Sequence, residues 1–218
     1  MSPRNTLDPR VIQCITERGF DEFSEIQERA IPRVLAGEHL LLIAPTGTGK
    51  TESAMIPVFN QMLTSQQGTG FTTLYITPLR SLNRDILVRM EWWSSHLGMT
   101  VGVRHGDTSQ GERRKQTLSP PDLLVTTPET LQALFMGKRL REHLKSVRFV
   151  IIDEIHDLRG RDTVRCRDEQ GYGIGSIRDI FRRNGKNCNG RYQYKKNNEP
   201  DTPGKVTIHR SCHLLSGH

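Results

Sequence analysis

Five short apolar runs constrain this chain more than any other feature: LLLIA (40–44), TTLYIT (72–77), MTVGVRH (99–105), DLLVTT (122–127) and RFVIID (148–153). Runs of this kind, with little polar alternation, are expected of strands covered on both faces. Helical patterns lie between them. Ile86, Met90, Trp93 and Leu97 fall at steps of four, three and four, which makes one apolar stripe. Asp8-Pro9 offers a cap followed by proline at the first helical position, and Val11, Ile12 and Ile15 form a short apolar face before Gly19. Ser24 and Gln27 have capping-box spacing at the start of a segment closed by Gly37. The alternation predicts an α/β fold, a parallel sheet with helices on both faces joined by right-handed crossovers. Ligands of such sheets bind where loops leave the carboxyl ends of the strands.

The pattern stops at Gly160. Of the overall charge of +7, +6 lies in residues 161–218, which hold 12 Lys and Arg against 6 Asp and Glu. The basic balance therefore describes this tail and says little about residues 1–160. With no Ala and only Leu214 and Leu215, 161–218 is expected to be a poorly ordered or out-of-frame basic appendage. Cys14, Cys166, Cys188 and Cys212 make no CxxC pair and no zinc spacing. No apolar run approaches the ~18 residues of a membrane span. A reducing, cytoplasmic setting without membrane contact is expected.

APTGTGKT (44–51) follows a strand run and precedes a helical one, the context a phosphate loop requires. Gly47 and Gly49 allow a tight turn, so that amides from Thr46 through Thr48 to Thr51 point inward at phosphate oxygens. Lys50 would reach the β- and γ-phosphates as a point charge, and the Thr51 hydroxyl would bind Mg²⁺. The first position is Ala44 where the commoner motif has Gly. A glycine-rich turn without ligand is the plain alternative, but it leaves the Gly-Lys-Thr triplet unexplained.

VIIDEIH (150–156) puts Asp153 and Glu154 where a buried strand emerges. A hard cation bridging two phosphates takes oxygen ligands and keeps several waters, so Asp153 can act through the Mg²⁺ shell. Glu154 is then placed to orient and deprotonate the attacking water. A strand ending in Asp-Glu is common; its pairing with a phosphate loop gives it meaning.

Together, APTGTGKT and DEIH resemble the first RecA-like domain of superfamily-two DEAD/DEAH-type helicases, in wording similar to the archaeal-type large helicase-related (Lhr) proteins. GFDEFSEIQERAIP (19–32) is similar to the family's Q motif, which implies that Phe20 packs on adenine and Gln27 hydrogen-bonds its edge; helix capping by Gln27 is compatible with that. TPLRSLNRDI (77–86) resembles motif Ia, RHGDT (104–108) the family's glycine turn, and TTPETL (126–131) motif Ib. The resemblance covers 7–159 and implies ATP and Mg²⁺ as cofactors. It also implies that Thr77, Pro78, Arg80, His105, Gly106, Thr126, Thr127 and Pro128 grip single-stranded or partly duplex DNA or RNA. Backbone amides, hydroxyls and Arg80 at strand ends suit a phosphodiester backbone and carry no sequence information. Unaided, Thr127-Pro128 reads equally as a helix cap, and His105 as a strand-end residue.

After DEIHDLRG the family would continue with an amphipathic helix and a Ser-Ala-Thr motif, whereas this chain reads RDTVRCRDEQGYGIG. A second RecA-like domain would supply arginine fingers. The expectation is therefore a truncated motor: an ATP-binding helicase domain (1–160) with weak single-strand binding and little hydrolysis of its own. The alternative is a non-hydrolytic, ATP-sensitive single-strand-binding module. Losing the helix after Gly160 is also expected to leave one face of the sheet partly uncovered.

Overall fold

The structure, a computed structural model, describes residues 3–45, 47–64, 70–79, 82, 84–154 and the backbone of 205–210. The rest of the tail, and with it the expectation of disorder or a changed frame, lies outside the described residues. A 3-10 turn (Pro3–Thr6) leads into α1 (Pro9–Glu17) and α2 (Glu25–Leu35). Then come β1 (Leu40–Ile43), α3 (Lys50–Thr64), β2 (Thr73–Ile76), α4 (Arg84–His96), β3 (Val101–Arg104), α5 (Gln110–Leu118) and β4 (Leu123–Thr126). The described elements end with α6 (Pro128–Met136), α7 (Lys138–Leu144), β5 (Phe149–Ile152) and β6 (Lys205–Arg210). Asp8 caps α1 by accepting from the Arg10 amide, and Ser24 and Gln27 form the capping box of α2. Both boundaries were legible as cap residues before an apolar face.

The sheet order is β1-β6-β5-β2-β4-β3. β5, β2, β4 and β3 are parallel neighbours, as expected. β6 pairs antiparallel with both β1 and β5, so β1 runs parallel to β5 across it. Lys205–Arg210, which the sequence assigns to the tail, thus forms a strand inside the sheet.

The two-residue period of the strands splits their side chains between two cores. Tyr75, Leu123, Val125, Phe149 and Ile151 face α1 to α4, where Ile15, Ile31, Phe59 and Trp93 are almost fully buried. Leu74, Ile76, Leu124, Val150 and Ile152 face Leu131 and Leu134 of α6 and Leu140 and Leu144 of α7. Each fully buried side chain of this size contributes roughly 1.5–3 kcal/mol. The stripe on α4 is core as read: Met90, Trp93 and Leu97 are buried, Ile86 packs against them, and Trp93 stacks on Phe59 with ring centroids 6.0 Å apart.

β1 departs from the expectation of a strand covered on both faces. Leu42 is buried on the α1–α4 side, but Leu41 and Ile43 are 48% and 54% exposed on the other. The helices α6 and α7 pack over β2, β4 and β5, and among the described residues no helix lies over β1 on that side.

Because the helix-linked strands run parallel, their following loops gather at one edge. The sheet order divides that edge in two. Loops after β1 and β5 flank β6, while loops after β2, β4 and β3 stand in a contiguous row.

Candidate nucleotide site and nucleic-acid edge

The phosphate loop turns on two left-handed glycines, Gly47 at φ 81° and Gly49 at φ 85°. Both conformations are open to glycine and costly for residues with a Cβ. The turn delivers the chain into α3, whose first residue is Lys50, and Thr51 follows half-buried. The free amides of that turn and helix start make a preformed anion site. Lys50 is 8% exposed, and its ammonium donates to the Ala44 and Pro45 carbonyls at 2.7 Å each. Burial lowers its pKa, and the Glu154 and Asp153 carboxylates oppose that shift. Asp153 and Glu154, just past β5, thus lie near enough to Lys50 for their charge to act on it. Thr46 lies outside the described residues.

Asp153 is 5% exposed and held on three sides. Its amide donates to the Ile76 carbonyl at 2.8 Å, its Oδ1 accepts from the Glu154 amide at 2.9 Å, and its Oδ2 accepts from the Tyr75 hydroxyl. Glu154 has φ 50°, a left-handed backbone that costs a non-glycine residue roughly 1–2 kcal/mol. Tyr75 is fully buried; burial first, and the adjacent Asp153 carboxylate second, hold its phenol protonated, well above the usual tyrosine range. The nearby Thr51 side chain acts the other way, lowering the phenol pKa.

α2 is docked onto the loop. Gln27, 4% exposed, accepts from the Ser24 amide through Oε1 at 3.0 Å, and the Ser24 hydroxyl donates to the Thr48 carbonyl at 3.0 Å. The Gln27 amide nitrogen lies so near Gly49 that a Cβ there would approach it to 2.5 Å. Phe20 is half-buried against the core, and its carbonyl accepts from the Arg4 guanidinium. Gln27 thus does cap its helix, and it also touches the phosphate loop.

In the row of three loops, Thr77, Thr126 and Thr127 are buried to 0%, 0% and 3% exposure. The Thr126 hydroxyl donates to the Arg104 carbonyl at 2.8 Å, and Thr127 caps α6 by accepting from the Thr130 amide at 3.4 Å, with Pro128 as the first helical residue. The capping reading of Thr127-Pro128 is therefore satisfied geometrically. Thr77 Oγ1 is buried, with no hydrogen-bond partner among the described residues, beside the likewise buried Pro78. Gly106 is exposed and His105 half-buried, in a turn clamped by the Arg113 guanidinium, which donates to the Thr108, His105 and Gly106 carbonyls at 2.8, 3.1 and 2.6 Å. Arg80 lies outside the described residues.

Sequence reasoning missed Tyr75 and Arg113. A tyrosine inside an otherwise aliphatic strand was the available signal, because a buried hydroxyl needs a partner. Arg113 gave none, standing in the polar run GERRKQ.

A family profile described as DEAD/DEAH box helicase matches residues 24–170. The ATP-dependent helicase Lhr-Core of Methanothermobacter thermautotrophicus is 36% identical over 156 residues, covering 65% of this chain and 18% of that protein. The Lhr helicase/uracil glycosylase of Escherichia coli is 34% identical over 163 residues, covering 66% of this chain and 10% of that protein. Among solved structures, Mycobacterium smegmatis helicase Lhr bound to ssDNA and AMP-PNP superposes with a TM-score of 0.64 at 32% identity, covering 72% of this chain and 21% of that one. The chain therefore spans no more than 21% of any of these three relatives. The profile's span contains the phosphate loop, the Thr-Pro loops and Asp153-Glu154, and the fold agrees with the solved relative. This chain belongs to the DEAD/DEAH box helicase family.

Proposed function

We propose that this chain is an ATP-binding helicase motor domain that binds Mg²⁺–ATP between the ends of β1 and β5 and holds one strand of nucleic acid along the β2-β4-β3 loops. The observation that carries the reading is that the phosphate loop after β1 and the Asp153-Glu154 pair after β5 leave the same sheet edge, with both carboxylates near Lys50. Lys50 exchanges its two loop carbonyls for phosphate oxygens, and the amides of Gly47 to Thr51 hold the β-phosphate. The Thr51 hydroxyl and the Asp153 carboxylate are hard oxygen donors, which fits a Mg²⁺ that keeps waters and phosphate oxygens as its other ligands. When bound, the ion neutralises charge developing on the phosphates. Glu154 orients the attacking water and takes its proton. Gln27, against the loop, and Phe20, ahead of α2, would receive the base.

The nucleic-acid grip rests on backbone groups, because the threonine side chains of the row are buried. The α6 N-terminus and the Arg113-clamped turn present those groups. The Lhr relative whose structure holds ssDNA makes single-stranded DNA the first ligand to try, with RNA beside it. Hydrolysis by this chain alone is slow in this reading. An arginine finger contributes roughly 10³–10⁵ in rate, about 4–7 kcal/mol of barrier, and in the family it comes from a second domain.

The test is ATP hydrolysis by the purified chain, with and without single strands, beside Lys50→Ala. Little turnover, with ATP binding lost in Lys50→Ala, is expected. Single-strand affinity that responds to ATP without turnover identifies an ATP-sensitive binding module. Nucleotide affinity equal in wild type and Lys50→Ala refutes the site.

A further inference from the structure

We propose that Tyr75 is a positioning residue of the magnesium–nucleotide site, its buried phenol fixing the carboxylate of Asp153 at the β5 end. The inference rests on the ATP reading above and adds to it a residue on neither nucleotide motif.

Asp153 and Thr51 belong to elements that do not pair directly. β1, which feeds the loop and α3, is separated from β5 by β6. Tyr75 comes from β2, on the other side of β5, and its ring is fully buried beneath the edge. From there the hydroxyl donates to Asp153 Oδ2. That hydrogen bond sets the direction of the carboxylate that would ligate the ion. Phenol suits this place because it is neutral. A cationic donor would compete with Mg²⁺ for the carboxylate, whereas a phenol orients it and leaves its charge available. Each carboxylate oxygen keeps a further lone pair after accepting from Tyr75 or from the Glu154 amide. Phenylalanine would fill the same volume without holding the carboxylate.

The experiment titrates a fluorescent ADP analogue into the full chain at several Mg²⁺ concentrations and in EDTA. Wild type, Tyr75→Phe, Asp153→Asn and the double variant are compared, and melting temperatures are recorded. Tyr75→Phe is expected to raise the half-saturating Mg²⁺ concentration about tenfold, the effect of one lost hydrogen bond to a charged group. Binding in EDTA should stay within about twofold, and the Mg²⁺ effect should largely vanish in the Asp153→Asn background. An unchanged Mg²⁺ dependence in folded Tyr75→Phe overturns the inference while leaving the ATP site standing. If wild type binds no nucleotide, both fall.

Should Tyr75→Phe fail to fold, fluorotyrosine labelling reads the same residue without removing the hydroxyl. With Tyr172, Tyr192 and Tyr194 replaced by Phe, the remaining ¹⁹F resonance belongs to Tyr75, since the chain has four tyrosines. It should move on adding Mg²⁺ to the ADP-bound chain. A resonance that ADP binding leaves insensitive to Mg²⁺ refutes the role.

Discussion

Gly49→Ala should destabilise this chain through a residue outside the phosphate loop. Gly49 has φ 85°, and an alanine forced into that region costs roughly 1–2 kcal/mol. Its Cβ would also stand 2.5 Å from Gln27 Nε2 and 3.3 Å from Gln27 Cδ. The Gln27 side chain is flexible and can retreat, but only by giving up the hydrogen bond its Oε1 accepts from the Ser24 amide. That loss adds about 1 kcal/mol. Gly47→Ala is the internal control, because Gly47 has φ 81° and nothing within 4 Å of the added Cβ. Gly49→Ala should therefore cost about 2–3 kcal/mol and Gly47→Ala about 1–2. At roughly 2–4 °C per kcal/mol for a domain of this size, the two melting temperatures differ by a few degrees. Urea denaturation of both variants, with and without Gln27→Ala, checks the cause. Gln27→Ala should cost about 1 kcal/mol less in the Gly49→Ala background than in wild type. Equal melting temperatures for the two glycine variants, or strict additivity with Gln27→Ala, would refute the docking of α2 on the loop.

Burial lowers the pKa of Lys50, so nucleotide affinity should fall as pH rises, before an ordinary lysine would titrate; Lys50→Arg, which stays charged, should flatten a fluorescence-monitored pH profile. Asp8 caps α1, and its side-chain hydrogen bond with Arg10 lowers its pKa. Asp8→Ala should cost about 1 kcal/mol in urea denaturation at pH 7. That contribution is present above the unfolded carboxylate pKa and is lost as pH falls through the lower folded value, so the two stability curves should converge in acid. Removing 205–218 should strip β1 of its paired strand and raise hydrogen exchange at Leu40–Ile43 more than at Thr73–Ile76, which keeps β4 and β5 as neighbours. Equal exchange at both strands would mean that β6 does not hold the loop strand.

The strand runs show how far local chemistry reaches. All five became strands, trimmed by a residue or two at their ends, since a short apolar run bounded by Gly, Pro or Asp has few other ways to be buried. The α1 and α2 caps were legible for the same reason, their signals lying within three residues of the effect. α5 was less legible: its single buried residue, Gln116, donates to the Val103 carbonyl, and no apolar stripe announces it.

The sequence by itself determined the phosphate loop, the acidic strand end and the Thr-Pro loops, because each is a contiguous stretch whose backbone conformation is local. Only the tertiary structure decided which strands lie side by side, and hence that the residues proposed for the nucleotide and the three-loop row occupy different parts of one edge. It alone brought Tyr75 under Asp153, 78 positions away, and Gln27 against Gly49. It also exposed Leu41 and Ile43, which the pattern read as covered. Contacts of this kind depend on strand order and helix placement. Those follow from how all the apolar faces are buried together, a property no short stretch of residues contains.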